Sequence, residues 1–348
     1  MQSLTHLALG WVERGRVPDA LIRAGIRRLL KQRLAEIQAG DCAAAAELSD
    51  VFLSALQRAA VALVPEKANA QHYDVPAAFF GQVLGQHRKY SSCWWPEGVS
   101  TLDAAEAVAL EATCARAGLV DGQEILELGC GWGSLTLWMA AHYPASRITA
   151  VSNSHHQRAY IEAEAARRNL GNVRIITTDM NSFEAPGRYE RIVSVEMFEH
   201  MRNWPVLFKR VSGWLKDEGR FFMHVFVHRL TPYAFVERGD DDWMSRFFFS
   251  GGMMPSDDLA LRCQNDLRVT RVWRWDGTHY QRTANAWLAN MDARRAAVQP
   301  VLEQTYGREQ FTLWWMRWRI FFMSCAELFG YDNGQQWWVT HYLFERRA

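Results

Sequence analysis

The segment "VSVEMFEHMRNW", residues 193–204, leaves an apolar run at Val195 and sets Glu196, Glu199 and His200 within five residues. If the chain turns helical after Val195, positions i, i+3 and i+4 share one face and the three polar groups converge, whereas a continuing strand would turn Glu196 and Glu199 opposite ways. Two carboxylates beside one imidazole form an anionic patch that holds a cation. They also raise the imidazole's proton affinity above its unperturbed pKa of ~6.5, so the histidine can take a proton. Met197 and Phe198 then point away, into packing. Other uses of these residues stand beside this one. Glu199 and His200 would also cap a helix that begins there, because acidic groups suit a helix N-terminus. A metal site would need further ligands, and no second cluster of them is evident, so the expectation is no metal. A partner-helix face is the remaining alternative.

A second group lies upstream, in "EILELGCGWGSLTLWMA". Glu127 ends an apolar run, and Gly129, Gly131 and Gly133 follow before a helix. Glycines there let the backbone come close to a ligand, and the helix N-terminus near Ser134 offers unpaired N–H groups. A dinucleotide site would want G-x-G-x-x-G and a phosphate loop a Gly-Lys-Ser/Thr; neither is present. Glu127 would also repel a pyrophosphate. A cationic or zwitterionic small cofactor with ribose hydroxyls suits the stretch better. Gln157 follows the next apolar run, and Asp179 ends the third, where a carboxylate can accept a hydrogen bond from an adenine amine. All these residues fall at the carboxyl ends of strands, where ligands of open α/β sheets lie.

The elements that must position these groups follow from periodicity. From about residue 122, short apolar runs ("EILELG", "ITAVS", "VRIITTD", "RIVSVEM", "RFFMHVFV") alternate with amphipathic helices ("SLTLWMAAHY", "HHQRAYIEAEAARR", "VLFKRVSGWL"), which predicts parallel βαβ units in an α/β, doubly wound sheet. Two later runs, "LRVTRVWRWD" and "WWVTHYLFER", are separated by helical "TANAWLANMDARRAAV" and "FTLWWMRWRIFFMSCAELF". They would close the sheet as an edge pair after a helical insertion. Residues 1–70 carry helical spacing, and "VPEKANAQHYDVPAAFFGQ" breaks it. The expected organisation is a helical N-terminal region over 1–70, a cofactor-covering segment over 71–121, and a core over 122–348 with a substrate-binding helical insertion at about 228–335.

Composition narrows the partners. The 39 basic and 38 acidic residues leave a formal charge of +1, too little to collect nucleic acid or an anionic membrane surface. No apolar run approaches the ~20 residues of a membrane span, and the N-terminus lacks the pattern of a secretory leader, so a cytoplasmic location is expected. The six cysteines show no CxxC spacing and read as reduced packing residues. The 16 tryptophans, 18 phenylalanines and 10 tyrosines crowd beyond residue 200, and at helical spacing they read first as core.

The run "ELGCGWGSL", with "HYDVPAAFFGQVLGQHRKYSSCWW" before it and "VEMFEH" after it, resembles the S-adenosylmethionine-dependent methyltransferases of the cyclopropane fatty acid synthase superfamily. Within that group the chain is most similar to the plant coclaurine-type N-methyltransferases. The likeness runs from about residue 70 to the C-terminus and includes "DDWMSRFFFSGGMMPS", "WLANMD" and "AELFGYDNG". It implies a Rossmann-like class I methyltransferase fold, S-adenosyl-L-methionine as cofactor with S-adenosyl-L-homocysteine as product, and a small-molecule amine as partner, in a possible homodimer. Tyr90 and Ser91 of "KYSS", with the backbone of Gly129 and Gly131, would meet the methionine end. Gln157 would hold the ribose, Asp179 and Met180 would flank the adenine, and Glu127 and Asn153 complete the cofactor set.

The resemblance also implies a chemistry. An alkylammonium has no lone pair and must lose its proton before it can attack a sulfonium methyl. Glu199 and His200 are the expected acid–base residues, with Glu196 orienting the amine. The superfamily also contains enzymes that methylate a lipid double bond with bicarbonate as base. Their Tyr-Ser-Cys motif falls on Tyr90, Ser91 and Ser92, so the cysteine is replaced, and the position of Glu196 is typically glycine there. Glu199 and His224 match the lipid enzymes, which keeps that reading as the alternative. A carboxylate gained where bicarbonate ligands are lost favours a cationic substrate. Beside His224, Phe322, Tyr331, Trp337 and Trp338 are expected to wall a pocket for a cyclic or aromatic amine.

Overall fold

The computed structural model describes residues 4–63, 75–236 and 243–347. The boundary placed at residue 70 lies outside the described residues. Helices α1 (Leu4–Glu13), α2 (Asp19–Glu36) and α3 (Cys42–Arg58) open the chain, followed by α4 (Ala77–Val83) and α5 (Leu102–Ala117). Helix α5 starts where the Thr101 hydroxyl accepts from the Ala104 N–H, and it stops at Gly118, which takes the left-handed conformation that glycine tolerates best.

The alternating runs then fold as β1 (Glu124–Leu128), α6 (Ser134–His142), β2 (Arg147–Ser152), α7 (His155–Arg167), β3 (Val173–Thr177), β4 (Tyr189–Val195), α8 (Trp204–Trp214) and β5 (Leu215–His228). The chain continues through the short pair β6 (Tyr233–Ala234) and β7 (Met253–Met254), with α9 (Trp243–Phe247) between them. It ends with β8 (Leu267–Trp275), α10 (Gly277–Ala293), α11 (Arg295–Tyr306), α12 (Phe311–Gly330) and β9 (Trp337–Arg346).

Seven strands form one sheet in the order β3-β2-β1-β4-β5-β9-β8. β1 to β5 pair in parallel, and β9 and β8 add on as the expected antiparallel edge pair. Sequence order reverses between β1 and β4, so a crevice opens above their carboxyl ends. Helices cover both faces, which is why β5 can be buried continuously from Phe221 to His228 rather than alternating.

One core lies under α10 and α12, around the fully buried Trp287, Trp318 and Phe322. Another lies on the opposite face, around Phe198, Trp204, Phe208 and Phe221. The helices α1 and α2 are fastened to α12 by charge: Arg23 and Arg27 both reach Glu327, Arg317 reaches Glu13, and Arg319 bridges Asp19 and Asp292. Among the described residues no helix is long and apolar enough to cross a membrane.

Candidate active site

The crevice is a cleft enclosing about 1600 Å³ of space, open solvent at its mouth included. One end is lined by the loop after β1 and by Asn153, Gln157, Asp179 and Met180. The other is walled by Phe226, Phe249, Tyr280, Trp287 and Phe321. Tyr90, Ser91, Glu196, Met197 and His200 lie along it as well.

The first end offers the donor chemistry that a small adenosyl cofactor would need. Gly129 adopts φ +79°, and a Cβ there would meet the Met197 side chain at 2.5 Å, so the cradle depends on glycine at that position. Gly131 is also left-handed, at φ +51°, and α6 begins just beyond. Gln157 is buried; its Oε1 accepts from the Ser152 hydroxyl at 2.6 Å, while its Nε2 has no partner among the described residues. The buried Ser134 hydroxyl at the start of α6 is likewise unpartnered. Asp179 is braced by the Asn181 N–H at 2.8 Å. Glu127 accepts from the Thr136 hydroxyl at 2.5 Å, and burial pushes its carboxyl up to about 7. The Tyr90 ring is set between Phe80 and Trp287, and Ser91 accepts from Lys89 Nζ at 2.6 Å.

The catalytic segment takes a tighter path than the expected α-helical turn. Glu196 sits at φ +47°, a left-handed conformation that costs a side-chain-bearing residue energy, and Phe198–His200 form one 3₁₀ turn. Glu196 and His200 are brought to the cleft together, while Met197 and Phe198 both pack into the core as expected, Met197 also lining the cleft. Glu199 is completely buried behind the cleft, its Oε1 accepting from the Phe226 N–H at 2.7 Å and its Oε2 without a partner among the described residues.

These surroundings separate the two carboxyls. Burial raises both above the usual range, and Glu199 much further, because it has few donors and lies beside Glu196. Glu196 is held by the Ser92 N–H at 2.8 Å, His224 Nε2 at 3.1 Å and the Tyr280 hydroxyl at 2.7 Å, with Lys89 facing it. Of the two, Glu196 has the donors to hold a negative charge, and Glu199 is the carboxyl pushed more strongly toward its protonated form. The expectation that the carboxylates raise the histidine's pKa is overturned: burial dominates and holds His200 down at about 4, so its imidazole is neutral at physiological pH. Its ring stacks on Phe249 at 4.4 Å.

Other expected substrate-binding residues stand behind the wall. His224 is fully buried beneath Glu196 and supports it. Phe322 packs between Trp287 and Trp318 in the core. Trp337 donates to the Tyr233 hydroxyl, Tyr331 packs edge-on against Trp337, and Trp338 is on the opposite sheet face, bonded to Asp257. The actual aromatic wall comes from β5, α10, α12 and the loop around Phe249. Tyr280 and Lys89 were missed. Their signal would have been a buried lysine directly before "YSS" and a tyrosine on a helix face otherwise filled by Ala284, Trp287 and Leu288, but neither shows its partner in one dimension.

With this geometry in hand, the chain can be set beside known proteins. A family model described as mycolic acid cyclopropane synthetase matches residues 64–337. An (S)-coclaurine N-methyltransferase of Thalictrum flavum subsp. glaucum is 36% identical over 97% of this chain and 94% of its own length. A cyclopropane-fatty-acyl-phospholipid synthase of Escherichia coli is 28% identical over 78% of this chain and 66% of its own length. A crystal structure of a coclaurine N-methyltransferase bound to N-methylheliamine and SAH superimposes with a TM-score of 0.93 at 35% identity, covering 97% of this chain and 98% of that one.

Proposed function

The chain belongs to the mycolic acid cyclopropane synthetase family and is an S-adenosylmethionine-dependent methyltransferase; from that premise we propose that it methylates the nitrogen of a cationic, cyclic amine of the benzylisoquinoline type. The observation that carries this reading is Glu196. A carboxylate with three donors and an opening onto the cleft suits an ammonium acceptor, whereas an uncharged lipid chain gains nothing from it. The aromatic wall adds cation–π attraction for the same charge.

When bound, S-adenosylmethionine supplies an electrophilic methyl group on a sulfonium sulfur. Gly129, Gly131, Asn153, Gln157, Asp179 and Met180 would hold it, together with Tyr90, Ser91 and Glu127, all of which line the cleft. Glu196 binds the substrate ammonium at the wall opposite. His200, neutral because it is buried, accepts the ammonium proton on its imidazole, and the nearby Glu196 charge stabilises the imidazolium that results. Glu199 ties the segment to β5 through Phe226 and keeps its own proton. The surrounding rings exclude water and hold the nitrogen in line, where proximity alone supplies much of the rate.

Incubation with methyl-labelled S-adenosylmethionine tests the proposal. Label in a tetrahydroisoquinoline or another secondary amine supports it. Label in phospholipid acyl chains with none in any amine overturns it.

A further inference from the structure

His224 and His341 face each other across β5 and β9, directly in register, with ring centroids 4.5 Å apart. Both are fully buried; His224 is one of the three donors on Glu196, and His341 has no part in the mechanism above. On one side of the pair, His224 Nε2 lies 3.1 Å from Glu196 Oε1. On the other, Arg116 Nη1 on α5 lies 2.8 Å from His341 Nδ1. A guanidinium has only donors, so His341 Nδ1 must be the acceptor and the ring proton must sit on Nε2. An ionised carboxylate has only acceptors, so His224 carries its proton on Nε2 too. His341 is thereby assigned neutral with its proton on Nε2, while the carboxylate fixes a proton on His224 Nε2 and leaves the state of His224 Nδ1 to its other neighbours.

Arg116 is well placed to enforce this. Its guanidinium carbon lies 5.8, 5.4 and 5.2 Å from the ring centroids of Trp94, Trp273 and Trp275. Trp94 and Trp275 stack at 5.7 Å, and Trp275 stands edge-on to His224 and His341. A ring box of this kind favours a permanent cation and excludes water from the histidine pair. The charged and titratable groups facing His224 are Glu196 from the catalytic segment, Lys89 from the segment before α5, Arg116 from α5 and His341 from β9. Burial and, added to it, the two cations oppose a second proton on this imidazole, which would otherwise form an ion pair with the buried carboxylate beside it. Glu196 would then be neutralised from behind.

We infer that Arg116 and His341 are positioning residues: they hold His224 as a neutral Nε2–H donor, so that Glu196 is oriented without being neutralised and keeps its charge for the substrate ammonium. This inference rests on the amine reading of the site. Burial together with Lys89 and Arg116 holds His224 well below the usual histidine range, in agreement with it.

The test begins with the unaltered protein. In histidine labelled with ¹⁵N, long-range proton–nitrogen spectra should show His224 and His341 as neutral Nε2–H tautomers from about pH 6 to 8, each assigned by loss of its signal in a single variant. Arg116→Met should let His224 protonate within that range. It should raise KM for the amine about tenfold at pH 7, with recovery as pH rises, and leave S-adenosylhomocysteine affinity unchanged. Arg116→Lys, which restores a cation, should keep the wild-type pH profile. A charged or Nδ1–H His224 in the wild type overturns the inference, as does a folded Arg116→Met with wild-type KM and pH profile. If Arg116→Met does not fold, the wild-type spectra decide. If the wild-type enzyme methylates no amine, the functional reading falls while the tautomers are still measured independently.

Discussion

The Tyr280 hydroxyl donates to Glu196 Oε2 at 2.7 Å, joining α10 to the segment after β4 across 84 positions of sequence. The Tyr280 ring is stacked on Phe329 at 4.2 Å and 12°, so the hydroxyl is held by packing rather than by the bond it makes. Tyr280→Phe should therefore fold normally and lose one charge-assisted hydrogen bond, worth about 1.5–3 kcal/mol. The expected outcome is a fall in kcat/KM for the amine of roughly tenfold or more, with no change in S-adenosylhomocysteine affinity. Steady-state kinetics with calorimetric titration would check it, and unaltered kcat/KM would remove Tyr280 from the site.

The two glutamates should behave differently. Glu196→Gln removes the charge that faces the cleft, and His200→Ala removes the proton acceptor. Each should lower kcat by about 10² while the protein still binds S-adenosylhomocysteine. Glu199→Gln replaces an already neutral acid with a neutral amide that can still accept from Phe226, so it should cost less than either. Because His200 is neutral above about 4, a rise in activity from pH 6 to 9 would report the amine and not this histidine. Single-turnover rates across pH would show both effects. A Glu199→Gln enzyme as slow as Glu196→Gln would reverse the assignment of charge.

The sheet was legible in sequence because its apolar runs and helices change period at the right places, and the edge pair because "LRVTRVWRWD" and "WWVTHYLFER" read as strands on their own. That these residues would share one cleft was legible for a similar reason: Gly129 and Gly131 follow β1, Gln157 lies in the first turn after β2, and Asp179 follows β3. What could not be read was contact between distant segments. Nothing near Arg116 in the chain announces His341, 225 residues away, and Lys89 looks like a surface lysine until Ser91 and Ser92 are seen to enclose it. The left-handed Glu196 was hidden as well, since glutamate has no preference for that conformation; tertiary bonds from Ser92, His224 and Tyr280 impose it. Aromatic residues were assigned to the pocket by composition, and composition does not say which face of β9 or α12 a ring occupies.

His228 offers a test of buried imidazoles away from the site. Burial holds it at about 4, below the ~6.5 of an unfolded chain, and its Nδ1 accepts from the Thr231 N–H at 3.0 Å. Its folded pKa is depressed, so the unfolded state binds the proton first. Its contribution is fully present above about pH 6.5 and is lost as pH falls through 4. The buried Glu106 and Glu127, both raised to about 7, act with the opposite sign, so the wild-type melting curve alone would not isolate the histidine. His228→Asn keeps an acceptor near Thr231 without the titration. The stability gap between wild type and variant should shift toward the variant by on the order of 3 kcal/mol between pH 6.5 and 4. Denaturant unfolding at several pH values would measure it, and a constant gap would contradict a neutral His228.

Glu327 on α12 accepts from Arg23 at 2.8 Å and from Arg27 at 2.6 Å, and its side chain is only 10% exposed. Arg23 also reaches Asn285 on α10 at 2.8 Å, so one arginine of α2 ties together two helices of the acceptor wall. Phe321, which lines the cleft, lies on the same helix as Glu327. We therefore propose that the N-terminal helices serve as part of the acceptor-binding layer rather than as a separate unit. Glu327→Ala leaves a guanidinium at a largely buried position without its partner, which should cost about 2 kcal/mol, less than a fully buried pair because Arg27 is half exposed. Hydrogen exchange should quicken in α2 and along the facing part of α12, and KM for the amine should rise while cofactor affinity holds. If melting temperature and exchange match the wild type, α2 contributes nothing to the wall and the N-terminal helices form an independent layer.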